Sequence, residues 1–192
     1  MPEPNASPKQ SISEHDFVAA VQSGKEIQDA RVDLRPQKNA KYGGAILLRC
    51  EFNNIAFTNT DLGASMLDSS VFRSCRFVRC DFRKAEMPDS TWISCIFEQC
   101  DFSRAEAPRA TFSECTFHGS DLSGMTLHRA DLRNSTFDSV LWHNAALDET
   151  QIDGARFRNS TGAANVRFFS IKVSLEVTGT LNDWLHLHEE FD

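Results

Sequence analysis

Every fifth residue from Leu47 to Phe157 is Leu, Phe, Met, Trp or Ile, with the one exception of Ala107: 22 large apolar residues at 23 positions in strict register. An α-helix repeats about every 3.6 residues and a flat strand every two, so neither accommodates a long run of fives. A period sustained this far dictates a stack of like units. Two residues before each large centre, 20 of the 23 positions hold Ala, Cys, Ser or Thr; Ile55, Met125 and Val140 are the larger ones. Residues two apart in extended backbone face the same way. The small residue and the centre therefore both point inward, and the residue between them points out. The two residues after the centre are mostly polar, or Gly, Pro or Asn, and suit a corner that redirects the chain. Pro88 and Pro108 fit the second position of a turn, and Gly119, Gly124, Gly154 and several Asn residues the third. Arg, Ser or Glu at many other corners argues against a single turn type.

A second period sets the number of sides. Asp61, Asp81, Asp101 and Asp121 recur every 20 residues, as do Cys75, Cys95 and Cys115, Glu86 and Glu106, and Pro88 and Pro108. Twenty residues is four sides of five, which describes a square solenoid whose coils stack at about 4.8 Å. The register from 45 to 159 gives about six coils and a stack of roughly 28 Å. Of the 15 Phe residues, 11 stand on the register, which assigns them to the core. Met125 lies one coil beyond Ala107 on the same side and is placed to fill the space that alanine leaves.

The segments TDLGA at 60–64, CDFRK at 80–84, CDFSR at 100–104, SDLSG at 120–124 and ADLRN at 130–134 resemble the pentapeptide-repeat family, with its consensus Ala-(Asp/Asn)-Leu-X-X. The resemblance spans 45–159 and implies an all-β fold, a right-handed quadrilateral β-helix. It departs at Ala107, at VLWHN (140–144) and after Asn159. Family members of this kind act through their surfaces; some bind DNA gyrase as an acidic mimic of duplex DNA and protect it from quinolones or toxins, and some dimerise through a C-terminal helix.

A solenoid must cover its open ends, so the flanks read as caps: 1–44 as N-terminal cap and lead-in, 160–192 as C-terminal cap. Ser13 followed by Asp16 predicts a helix over 14–23, with Phe17, Val18 and Val21 on one face and Gly24 as its stop. Arg31–Leu34 reads as a short preliminary strand and 35–44 as loop. Ile46, Leu48 and Met66 face outward on the first side although apolar, and the N-terminal helix is expected to lie over them. Phe169 to Thr178 alternates like a half-buried strand. A helix over 180–191 then covers the last coil or, as in some family members, joins two copies into a homodimer.

The composition narrows the functional classes. A net charge of −7 disfavours direct binding to nucleic acid or an anionic membrane. No apolar stretch approaches the ~20 residues that span a bilayer. With no visible secretory signal, the expected compartment is the cytoplasm. All six cysteines (Cys50, Cys75, Cys80, Cys95, Cys100 and Cys115) take the small inward position at intervals that are multiples of five. They read as small buried hydrophobes rather than metal ligands or disulfides. His118, His128 and His143 fall on three different sides, and His186 and His188 face different ways on the C-terminal helix. No catalytic residue, cofactor or metal site is expected.

Two surface features remain. The Asp61–Asp81–Asp101–Asp121 column suggests DNA mimicry towards gyrase. Yet segment 45–159 holds 16 acidic and 12 basic residues, about one net charge per 7 Å, against one per ~1.7 Å in duplex DNA. Arg83, Lys84 and Arg104 also adjoin the column. Near the corner between the second and third sides, Val71, Val78, Ile93 and Ile96 point outward, rimmed by Arg76 and Arg79. An outward apolar cluster of this kind marks a contact site, so the expected function is a non-catalytic protein–protein interaction scaffold whose partner is an unknown protein.

Overall fold

The computed structural model describes residues 9–162, 165–167, 170 and 178–179. From Ile27 onward the chain winds as a parallel β-solenoid of about seven coils, and 20 residues separate partners on neighbouring coils, as in Phe57↔Phe77, Phe77↔Phe97 and Phe97↔Phe117. We number the sides by their centres: side one from Leu47, side two from Phe52, side three from Phe57 and side four from Leu62. Among the described residues, side two forms a six-stranded parallel sheet from Gln10–Ile12 to Thr111–Ser113. Side three forms an eight-stranded one from Gln37–Lys38 to Thr178–Gly179. Sides one and four are joined largely by single-residue bridges such as Asp61↔Asp81 and Glu86↔Glu106.

That difference originates in the corners. After sides one and four the chain closes a tight turn, with Ala85 N donating to Phe82 O at 3.0 Å and Ser90 N to Met87 O at 3.4 Å. On side four an aspartate before the centre favours this turn: Asp81 Oδ1 accepts from Arg83 N at 2.9 Å, the side chain copying a backbone turn. Asp131 does the same on side two, accepting from Arg133 N at 3.0 Å, and there too a tight turn replaces the strand, with Ser135 N bonded to Leu132 O at 3.2 Å. Two turn classes therefore coexist, in line with the mixed corner residues. They share one element: the second residue after each centre from Leu47 to Phe157 has a positive φ, for example 52° at Arg49, 51° at Ala64 and 57° at Lys84. Left-handed backbone costs an L-residue about 1–2 kcal/mol. It aims the residue's N–H at the next coil, however, as where Asn54 N donates to Arg73 O at 2.9 Å.

The core is the axis. Side three stacks Phe57, Phe77, Phe97, Phe117, Phe137 and Phe157 with successive ring centroids 4.8, 5.2, 4.6, 4.9 and 5.0 Å apart. Side two stacks Phe52, Phe72, Trp92 and Phe112. Ala107 and Met125 are both buried among them. The small inward position does more than make room. Most of its thiols and hydroxyls donate to the carbonyl of a centre on the preceding coil: Cys95 Sγ to Phe72 O at 3.4 Å, Ser135 Oγ to Phe112 O at 2.7 Å, Thr150 Oγ1 to Leu127 O at 2.8 Å. All six cysteines are free and buried.

The N-terminal region departs from expectation in three ways. Residues 27–44 are already a coil: the short strand expected at Arg31–Leu34 forms at Ala30–Val32, and 35–44 is no loop, for Ile27, Val32, Gln37 and Tyr42 are buried centres, paired with Leu47, Phe52, Phe57 and, through Lys41↔Asp61 beside Tyr42, with side four. The repeat is hidden there because Gln37 is polar and Lys25 and Arg35 stand where a small residue is usual. Gln37 is tolerated because Tyr42 Oη donates to its Oε1 at 2.5 Å, while its Nε2 donates to Glu14 Oε1 at 2.9 Å and Arg35 O at 2.8 Å. The helix forms at Glu14–Gln22, capped by the Ser13 side chain, which accepts from Asp16 N. It lies across the open end of the axis, where Phe17 meets the edges of Tyr42 and Phe52 at 5.3 and 6.2 Å. The expected cover of the first side is incomplete: Met66 is 39% exposed, while Ile46 and Leu48 are half-buried. Finally, Gln10–Ile12 adds a strand beside Ala30–Val32 and shields the sheet edge.

Past Phe157 the winding continues, with Thr161 bridged to Leu141, then slips by one residue so that Arg167 faces Ala146. Thr178–Gly179 pairs with Arg156–Phe157. The helix expected over 180–191 lies outside the described residues, as does most of the strand before it; Ser170, which is described, is a bend with φ 48° rather than strand.

Candidate protein-interaction surface

With centres and small residues buried, three outward positions per side remain, and each forms a column running along the stack. The corner column between sides one and two holds Asp29, Arg49, Ser69, Asp89, Arg109, Arg129 and Glu149. Its charges pair with neighbours one coil away: Arg49 Nε to Asp29 Oδ1 at 2.7 Å, Arg109 Nε to Asp89 Oδ1 at 2.7 Å, Arg129 Nε to Glu149 Oε2 at 2.7 Å. The Arg49 and Arg109 hydrogen bonds hold the Asp29 and Asp89 carboxyls below the usual carboxylate range. Exposed pairs of this kind stabilise little; their effect is to cancel charge along the rod.

The aspartate column on side four is real as a geometric object, since Asp61, Asp81, Asp101 and Asp121 bridge in succession. Each carboxylate is nevertheless engaged locally. Their Oδ1 atoms accept from Gly63, Arg83, Ser103 and Ser123 N at 3.0, 2.9, 2.9 and 2.8 Å. Partial burial pushes the Asp81 carboxyl up, but the Arg83 side-chain and backbone hydrogen bonds outweigh it and the net shift is downward. Arg83 also lies 3.7 Å from Asp101.

Of the apolar cluster, Ile93 and Ile96 flank one corner between sides two and three, both half-buried. The coil before them places Arg73 and Arg76 at the equivalent positions, the coil after them Ser113 and Thr116. Val71 and Val78 are not drawn to that corner. Val71 opens its strand and Val78 closes the next, so each stands at the far edge of its side. Arg76 pairs with Glu98 at 2.6 Å and Arg79 Nε donates to Asn59 Oδ1 at 2.8 Å.

The three histidines of the coils stay apart. His118 Nδ1 lies 3.1 Å from Asp138 Oδ2 on side three, His128 stands on side one and His143 on side four, 3.5 Å from Asn165. The thiols are held in the core. Cys115 beside it, then burial, raise Cys95 to about 12, and burial leads in pushing Cys100 up. No helix among the described residues is long and apolar enough to cross a membrane.

A feature invisible at sequence level lies at the corner between sides four and one. Arg83, Lys84, Ser103, Arg104, Ser123, Gly124, His143 and Asn144 line a shallow groove there. In sequence the regular aspartates beside them dominate the pattern, and only the folded corner separates the two sets.

Residues 90–168 match the family model described as a pentapeptide repeat region. Among solved structures, the chain is similar to a trypsin-treated variant of QnrB1, a plasmid-mediated fluoroquinolone resistance protein, with 15% identity, TM-score 0.50, and coverage of 81% of this chain and 96% of that one. It is also similar to HetL from the cyanobacterium Nostoc sp. strain PCC 7120, a pentapeptide-repeat protein involved in heterocyst differentiation regulation, with 16% identity, TM-score 0.51, and coverage of 84% and 80%. No curated protein matches the chain by sequence.

Proposed function

We propose that this chain, whose residues 90–168 match the pentapeptide-repeat model, is a non-catalytic pentapeptide-repeat scaffold that binds a partner protein through the corner flanked by Ile93 and Ile96. The observation that carries this reading is the pair itself: two β-branched apolar side chains on a rod whose other outward columns are mainly polar and charge-paired. Burying them would release ordered water at roughly 25 cal/mol per Å². Arg76, in register with Ile96 on the coil before, offers a charged rim contact that fixes orientation, whereas Val71, Val78 and Arg79 stand at the far edges of their sides and lie outside this contact. The separation of His118, His128 and His143 supports a role without chemistry. The test is capture from native lysate with wild type and with Ile93→Ser/Ile96→Ser. Loss of one specific partner in the double variant is the expected result, and an unchanged set of partners rejects this corner.

A second reading, gyrase protection by DNA mimicry, is favoured by the stacked aspartates of side four and by the fold shared with QnrB1. Against it stand the backbone and Arg83 engagement of those carboxylates and the pairing of charge elsewhere. A gyrase supercoiling assay with and without quinolone separates the readings: under the scaffold proposal, increasing amounts of protein leave supercoiling and drug inhibition unchanged.

A further inference from the structure

We propose that the groove at the corner between sides four and one binds a phosphate monoester. Three cations line it, Arg83, Lys84 and Arg104, and no carboxylate does. The neighbouring acids are occupied elsewhere: Asp81 holds Arg83, with Nη2 at 2.5 Å, while Asp101 and Asp121 accept from the Ser103 and Ser123 backbone. Lys84 and Arg104 form no ion pair among the described residues, and they occupy the same position on successive coils, about 4.8 Å apart. That spacing places one ammonium and one guanidinium around a single dianion. Beyond them the column turns to Gly124 and Asn144, so the cations do not continue as an extended polyanion would require.

An independent observation points to the same spot. The Oγ of Ser123, in the groove wall on the coil after Arg104, is buried and has no hydrogen-bond partner. Buried hydroxyls are normally bonded, and rotation about its Cα–Cβ bond would turn this one towards an oxygen held by Lys84 and Arg104. Gly124 presents no side chain to the groove, and its φ of +69° suits glycine. A phosphate monoester offers the three acceptor oxygens and double charge that this donor set matches. Its source is either a small phosphate ester or a phosphorylated residue of a partner.

Amide NMR of the full chain tests this with four additions: inorganic phosphate, a peptide carrying one phosphoserine, its unphosphorylated twin, and chloride at matched ionic strength. Saturable shifts centred on Lys84, Ser103, Arg104, Ser123 and Gly124 are expected with the first two alone. A phosphopeptide at least tenfold tighter than phosphate identifies a modified partner; comparable affinities identify a small ester. The exposed-surface variant Lys84→Ala/Arg104→Ala should bind at least about tenfold more weakly, and Ser123→Ala several-fold more weakly, whereas Arg104→Lys retains most binding. Equal shifts with chloride, or undiminished affinity in the double alanine variant, overturn the proposal. The Ile93–Ile96 corner is diagonally opposite, so Ile93→Ser/Ile96→Ser should leave these shifts unaltered, and failure of one reading is distinguishable from failure of the other.

Discussion

Tyr42 is the chain's sole tyrosine, and it shows how one residue can hold a cap to a solenoid. Its hydroxyl donates to Gln37, which donates in turn to Glu14 on the capping helix. Burial, then the Glu14 charge, push its phenol up to about 12 from 10.0. A folded pKa above the unfolded one contributes stability that is complete below pH 10 and is lost as pH rises through about 12. Absorbance titration should therefore give a single phenolate transition near 12 in the native protein and near 10 in denaturant, with stability declining across that window; a native midpoint near 10 would refute the network. Tyr42→Phe leaves a buried Gln37 acceptor unpaired and should cost about 1–2 kcal/mol by urea unfolding. Gly162 illustrates the opposite constraint, geometric rather than polar. It sits at φ +86°, and a β-carbon there would lie 2.7 Å from the His143 backbone nitrogen. Gly162→Ala should lower the unfolding free energy by at least about 1–3 kcal/mol. Gly124→Ala, with φ +69° but only ordinary contacts, should cost visibly less in the same urea unfolding.

Within each five-residue element, the sequence announces size more clearly than bonding. The small inward position is legible because Ala, Cys, Ser and Thr alternate with a large centre. Nothing in the spacing reveals that the hydroxyls and thiols there tie neighbouring coils. Ser135 Oγ both donates to Phe112 O and accepts from Cys115 N at 2.9 Å. Ser135→Ala preserves the shape but orphans both buried groups, so it should cost about 2 kcal/mol in denaturant unfolding; a change below a few tenths would mean that size alone governs the position. The element also explains why the outward apolar cluster is only half assembled. Residues on either side of a centre point the same way but lean towards opposite corners. Ile93 and Ile96 therefore meet across a corner, whereas Val71 and Val78, equally outward in the pattern, end up at distant edges. The Lys84–Arg104 groove is hidden in the sequence for a related reason: its cations stand within three positions of the aspartates, and only the tight turn directs the two sets differently.

For the whole molecule, the axis from Leu47 to Phe157 is readable because every centre there but Ala107 is large and apolar. The first coil is not, because Gln37 breaks the apolar pattern and is rescued by contacts 5 and 23 residues away in sequence. Contacts of that kind carry no period. The result is a stack in which each coil touches chiefly its neighbours, so its stability is close to a sum of local terms. Phe17 closes one end of that stack against Tyr42 and Phe52. Phe17→Ala should cost about 3–5 kcal/mol, and the loss should be graded along the axis. In hydrogen exchange, the amides of Ile27, Asp29 and Asn39, bonded to Ile46, Leu48 and Thr58, should lose protection first. Those of Arg79 and Gln99, bonded to Glu98 and His118 in the middle coils, should keep most of theirs, because the stacked rings around Phe97 retain neighbours on both sides. A uniform loss across all coils would instead identify the rod as one cooperative unit, and the nearest-neighbour description would then fail.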